Sequence, residues 1–260
     1  MSKKFQKENH KHKFDNNLPI EKNVKLDFEI KQKYELTALQ KEIIETSLDK
    51  SVRLIILDAP TGCAKTYTAV FSLIMLLSEK KIHDITYIRS LIQSKDGETG
   101  FLPGSLEDRC LYFNVPLFDQ LNEILNKSDL EKLVKEERIK TIPTSMLRGY
   151  NCAGGVCLDE CQNVTFDSLF TVATRLKPHA KLFMLGDNTG QNDLGAKTGF
   201  AKFCKIYGDE ESKKFGVRYF KLDSSNIVRS EFVKFLVEKL KSFEDSKKKE
   251  INSETMFPTS

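Results

Sequence analysis

Three short stretches of this 260-residue chain carry side chains suited to phosphate chemistry. The first is Ala59-Pro60-Thr61-Gly62-Cys63-Ala64-Lys65-Thr66. It follows an apolar run and leads into an apolar helical pattern, so its backbone N–H groups would open a helix and form a concavity for anions. It fits GxxxxGK[ST] except at the first and sixth positions, where Ala59 and Ala64 replace Gly. On this reading the loop from Pro60 to Ala64 cradles phosphates, Lys65 contacts the β and γ phosphates, and Thr66 holds Mg²⁺ through its hydroxyl. Gly62 stands mid-loop, where a positive φ is least costly. The two alanines are tolerable if their φ is negative. The second stretch is Val156-Cys157-Leu158-Asp159-Glu160, an apolar run ending in two acids. Asp159 suits a Mg²⁺ ligand, and Glu160 suits a residue that positions and deprotonates water. The third is Gly186-Asp187, with Gln191 close behind. Taken singly, each has a plain reading: a turn that happens to contain Lys-Thr, or acids favoured at a helix start. Taken together, they point to a nucleoside triphosphatase.

The flanking elements must place these stretches on one edge. Short apolar runs at 54–58, 85–89, 156–159, 181–185 and 217–222 read as strands, with a further candidate at 138–143. Helical patterns occupy 35–49, 65–77, 107–137, 166–176, 199–207 and 230–243, and 91–105 reads as loop. Alternation of strand and helix predicts an α/β fold, a mostly parallel sheet with helices on both faces. In such a sheet the strand ends share one edge, where ligands bind. The expected organisation is a basic polar arm at 1–34, a nucleotide-binding domain at 35–244 and a frayed polar tail at 245–260.

Composition narrows the class. The chain is 40% hydrophobic and 30% charged with 13 Gly and 7 Pro, which excludes collagen-like and low-complexity chains. The longest apolar stretch is too short to span a membrane, and the N-terminus lacks the apolar run of a secretory signal, so a cytoplasmic location with reduced cysteines is expected. The net charge of +4 is matched by the first 13 residues, leaving 36 basic against 36 acidic residues in the remainder. Any nucleic-acid site is therefore a local patch or the arm itself. Only 8 Arg accompany 33 Lys, which draws notice to Arg89, Arg148, Arg175 and Arg229. Cys152, Cys157 and Cys161 lack the spacing of a zinc site. Cys63, in the phosphate loop, is expected to make the protein sensitive to thiol reagents.

Several segments, in order, resemble the PhoH-like ATPases, particularly those of bacteriophages, which are similar to the core of superfamily 1 helicases. The similarity runs from about residue 37 to residue 240. Residues 59–66 resemble the family's loop, with Ala59 a departure from its usual Gly. Tyr87-Ile88-Arg89 is similar to an arginine-bearing segment after the second strand. Gly100-Phe101-Leu102-Pro103-Gly104 is the most specific match. Met146-Leu147-Arg148-Gly149, Leu158-Asp159-Glu160-Cys161-Gln162-Asn163, Thr174-Arg175-Leu176 and Ile227-Val228-Arg229-Ser230 each have a counterpart. Gly186-Asp187 with Gln191-Asn192-Asp193 resembles a further segment, with one extra residue before the Gln.

The resemblance implies a RecA-like P-loop fold, ATP and Mg²⁺ as ligands, and ring oligomers, hexameric in some members. It implies Gln191 as a γ-phosphate sensor and Arg229 as an arginine finger or sensor, with a salt bridge on the last helix as the plain alternative for Arg229. Arg89 and Arg148 are candidates to contact a nucleic-acid backbone or a nucleotide phosphate, or else to pair locally with nearby acids. Leu36-Thr37-Ala38-Leu39-Gln40 is similar to the adenine-reading segment of superfamily 1 helicases, which would have Gln40 pair with the adenine edge; the alternative is a surface glutamine on an amphipathic helix. The expectation is a helicase-like ATPase acting on single-stranded RNA or DNA. A non-catalytic ATP-dependent switch or scaffold is the alternative, against which Glu160 argues. A small-molecule kinase lacks the Arg-rich lid it would need.

Overall fold

The computed structural model describes residues 28–89, 106–144, 151–188 and 198–255. Six strands form one sheet: β1 (Leu54–Asp58), β2 (Ile85–Arg89), β3 (Ile139–Pro143), β4 (Gly155–Asp159), β5 (Lys181–Gly186) and β6 (Val217–Lys221). Their order is β3-β2-β4-β5-β1-β6, and every adjacent pair is parallel. The strand that leads into the loop at 59–66, β1, is thus separated from the acid-ending strand, β4, by β5. This is the sheet of a RecA-like P-loop NTPase fold.

The apolar runs form strands because both faces are covered. Ile55, Leu57, Tyr87, Cys157, Phe183 and Leu185 point into one core, and Leu54, Ile56, Ile88, Leu158, Leu182 and Met184 into the other. The period of two divides each run between the layers. The first core is closed by α1 (Ala38–Leu48), α2 (Lys65–Ser78), α3 (Leu106–Ile124) and α4 (Lys127–Lys135). The second is closed by α5 (Phe166–Thr174) and α6 (Phe200–Tyr207). Helix α2 is buried almost all round, which is why its sequence has so little polar character. Two further helices follow, α7 (Glu210–Lys214) and α8 (Glu231–Thr255).

Differences from the expected elements have local causes. The single helical pattern at 107–137 is two helices, broken at Asn126, whose backbone is extended at the N-cap position of α4. Helix α7 is too short for a periodicity to reveal. Helix α8 continues to Thr255, because the charged residues beyond Phe243 are good helix formers even without an apolar face. At the other end, the body extends before residue 35. Phe28 and Ile30 pack on the first core, and Lys31 N–H donates to Ile124 O at 2.8 Å. Among the described residues, no helix is long and apolar enough to cross a membrane.

Candidate functional site

The ends of β1, β2, β4 and β5 meet at the carboxyl edge of the sheet. In register, Arg89 lies beside Asp159, and Asp58 beside Gly186. The loop after β1 closes over this edge and enters α2. Gly62 has φ 91°, as its mid-loop position requires. Its carbonyl accepts from Val228 N–H at 3.1 Å. A Cβ at this position would lie 3.2 Å from Ile227 and 3.3 Å from Val233, so a second reason for Gly is close packing against Ile227 and the first turn of α8.

The two alanines of the loop behave differently. Ala59 is buried and has a negative φ, as expected. Ala64 does not: it is left-handed, φ 53° and ψ 37°, at the N-cap of α2. The condition of a negative φ is not met there, because the turn into α2 demands the left-handed conformation for which Gly usually serves. Cys63 also departs from expectation. Its side chain is buried, and its thiol lies 3.6 Å from Asp223 O. Burial pushes the thiol up to about 11, so it is protected rather than reactive.

Lys65 Nζ donates to Ala59 O at 2.5 Å and Pro60 O at 3.1 Å. The ammonium thus caps the carbonyls of its own loop, at the start of a helix where an anion would be favoured. Thr66 follows and donates from Oγ1 to Asp159 Oδ2 at 3.1 Å. Asp159 is buried at the end of β4. Its Oδ2 also accepts from Tyr87 OH at 2.6 Å, and its Oδ1 accepts from Glu160 N–H at 2.9 Å. Burial, and then the neighbouring Asp159 charge, hold the Tyr87 phenol far above its ordinary range, so it remains a donor.

A hydroxyl and a carboxylate in contact at a helix start are hard oxygen donors. Among the described residues no cluster of three or more His, Cys, Asp or Glu could hold a metal by itself. As oxygen donors Thr66 and Asp159 fit Mg²⁺, which is commonly held by one or two protein oxygens together with substrate phosphates and waters.

Glu160 is left-handed too, φ 56° and ψ 43°. Its Oε1 lies 3.3 Å from Arg89 Nη2, and its Oε2 accepts from Gln162 Nε2 at 2.5 Å. Gln162 Oε1 in turn accepts from Asp187 N–H at 3.2 Å. Arg89 thus pairs locally with an acid. Nearby, Asp58 accepts from Asn188 through both oxygens and from Tyr219 OH at 2.9 Å, tying the ends of β5, β1 and β6 together.

A cavity of about 720 Å³ opens over the loop. Thr61 to Thr66, Asp159 and Glu160 line it, as do Gln40 from α1 and Val228 and Arg229 from the segment before α8. Gln40 is buried, so it is not a surface glutamine. Its Oε1 accepts from Thr37 N–H at 2.9 Å, which fixes the amide and leaves Nε2 without a partner among the described residues. Arg229 is exposed and makes no ion pair among the described residues. Pro60 contributes its carbonyl to Lys65.

The structure therefore brings Gln40, the loop, Lys65, Thr66, Asp159, Glu160 and Arg229 to one cavity. Arg148 and Gln191 lie outside the described residues, as do residues 100–104. Sequence reasoning missed Tyr87, Gln162, and the aromatic rim made by Tyr34, whose OH donates to Glu123 at 2.8 Å. For Tyr87 a signal existed, since a tyrosine in a buried strand needs a polar partner.

The profile of the PhoH-like protein family matches residues 32–241. A PhoH-like protein of Bacillus subtilis (strain 168) is 31% identical over 183 residues, 69% of this chain and 55% of that protein. A PhoH-like protein of Mycobacterium tuberculosis (strain ATCC 25618 / H37Rv) is 29% identical, over 72% of this chain and 52% of its own. The chain thus spans about half the length of the curated relatives it matches. Among solved structures, the large terminase of a thermophilic bacteriophage is similar over 77% of this chain and 49% of its own, with 10% identity and a TM-score of 0.46.

Proposed function

The chain belongs to the PhoH-like family, and from that premise we propose that it binds ATP with Mg²⁺ in the loop cavity and hydrolyses it. The observation that carries this reading is the convergence of Lys65, Thr66, Asp159 and Glu160 on one cavity. On binding, the triphosphate takes Lys65 from the carbonyls of Ala59 and Pro60. Thr66 and Asp159 hold Mg²⁺, which supplies neutralisation of phosphate charge. Glu160 orients a water and accepts its proton as the new O–P bond forms and the bond to the ADP oxygen breaks. Gln40 reads the adenine edge: Nε2 donates to a ring nitrogen, and the second lone pair of Oε1 accepts from the amino group. Arg229, exposed at the rim, is an arginine finger, and such a residue is worth about 10³ to 10⁵ in rate. Gln191 and Arg148 are further candidates for the γ-phosphate end.

We propose further that hydrolysis is coupled to single-stranded RNA or DNA and that subunits assemble. The Lys-rich first 13 residues and the exposed arginine support this reading. The test is phosphate release from ATP by the full chain, with and without Mg²⁺ and with poly(U) or poly(dT). The expected result is Mg²⁺-dependent turnover raised by one polymer. Binding without turnover in every condition would favour the non-catalytic switch.

A further inference from the structure

Glu160 is held more closely than an acid at an open strand end requires. Its left-handed backbone is one that a non-glycine residue keeps only when the surroundings enforce it. Each carboxylate oxygen has its own partner. On Oε2 the partner is Gln162, at 2.5 Å. The Gln162 amide cannot turn over, because Asp187 N–H fixes its oxygen. On Oε1 the partner is Arg89, at 3.3 Å.

The two holds differ in kind. Gln162 makes a short bond two residues away within one turn, anchored to the end of β5. Arg89 reaches across from β2 with one long contact between partly exposed side chains. Such a pair is weak and is readily exchanged for another anion. A guanidinium is also the side chain best matched to phosphate, which it grips with two parallel N–H donors. Here it spends one on Glu160.

We infer that Arg89 is the contact through which a polynucleotide controls hydrolysis. At rest its guanidinium occupies the oxygen that Glu160 needs for water. A backbone phosphate reaching this edge of the sheet draws Arg89 away and frees that oxygen. Gln162 stays in place and keeps the carboxylate aimed, which makes it a positioning residue. This inference rests on the ATPase reading above.

The test measures steady-state phosphate release by the full chain from Mg²⁺-ATP, alone and with poly(U) or poly(dT). ATP affinity is titrated in parallel for the wild type, Arg89→Gln and Gln162→Met. Without polymer, Arg89→Gln should release phosphate about two- to five-fold faster than the wild type, the range open to a partly exposed ion pair. Polymer should then add little, and ATP affinity should hold. Gln162→Met should lose roughly ten-fold or more in kcat with and without polymer, with KM and ATP affinity unchanged. That split is one that a merely structural role would not give. Wild-type turnover that neither polymer moves overturns the inference and leaves the ATPase reading standing. So does an Arg89→Gln variant that is slow at rest and still stimulated, or a Gln162→Met variant with wild-type kcat. A wild type that binds ATP and never turns it over overturns the ATPase reading, and the inference with it.

Discussion

The two alanines of the loop between β1 and α2 should answer a change to glycine in opposite directions. Ala64 is left-handed, φ 53°, where an L side chain costs about 1–2 kcal/mol through the clash of Cβ with the following carbonyl. Ala64→Gly removes that strain, loses part of a half-buried methyl, and gives the unfolded chain about 0.4–1 kcal/mol of extra freedom. The balance is a gain of about 0.5 kcal/mol. Ala59 has a negative φ and is buried, so Ala59→Gly relieves nothing. It incurs the same loss to the unfolded chain and gives up a buried methyl worth about 0.8 kcal/mol, for a total loss of about 1.5 kcal/mol. At about 2–4 °C per kcal/mol for a domain of this size, the two variants should melt about 4–8 °C apart, on opposite sides of the wild type. Paired thermal unfolding followed by circular dichroism measures this. If both variants fall together, or Ala64→Gly falls further, the assignment of strain to Ala64 alone is wrong.

Removing the Tyr87 hydroxyl leaves the buried Asp159 carboxylate short of a donor at 2.6 Å. Tyr87→Phe should therefore lose about 1.5–3 kcal/mol in urea unfolding, and an unchanged midpoint would refute the role given to that bond. Cys63, pushed up to about 11, is roughly one part in a thousand thiolate at pH 8. Iodoacetamide should modify it at pH 8 only as fast as the protein opens, and fast modification of the folded chain would contradict its burial. Stability should fall as pH rises above about 9. Burial holds the thiols of Cys63 and Cys152 up to about 11 and that of Cys204 up to about 12, against a usual value of 9.0. The unfolded chain therefore releases protons that the folded one keeps. Lys181, brought down to about 8 by burial, acts the other way between about 8 and 10.5, but it is one group against several. Urea midpoints from pH 8 to 11 that do not decline would count against this account.

The strand ends were legible because a buried parallel strand reads as a bare apolar run, and Asp58, Asp159 and Asp187 mark where such runs stop. The loop was legible because Lys65 and Thr66 have a fixed place after it. Strand order was not, and much of the site depends on it. Arg89 reaches Glu160 only because β2 lies in register against β4, a pairing between segments about 70 residues apart. The conformation of Ala64 was hidden because its residue type argues for the opposite. Tyr34 joins the rim through a bond to Glu123 on α3, a distant contact that local pattern does not carry. Helix α8 was read short because periodicity tracks an apolar face, and its far end has none.

The central claim is that Glu160 is the water-activating acid of an ATP site built on Lys65, Thr66 and Asp159. The most direct measurement compares the wild type with Glu160→Gln, titrating Mg²⁺-ATP and following phosphate release on the same preparations. A general base contributes about 10²- to 10⁴-fold, so release should fall by at least a hundredfold while ATP affinity stays within about three-fold. Release that survives the change, or ATP affinity that is lost with it, would contradict the claim.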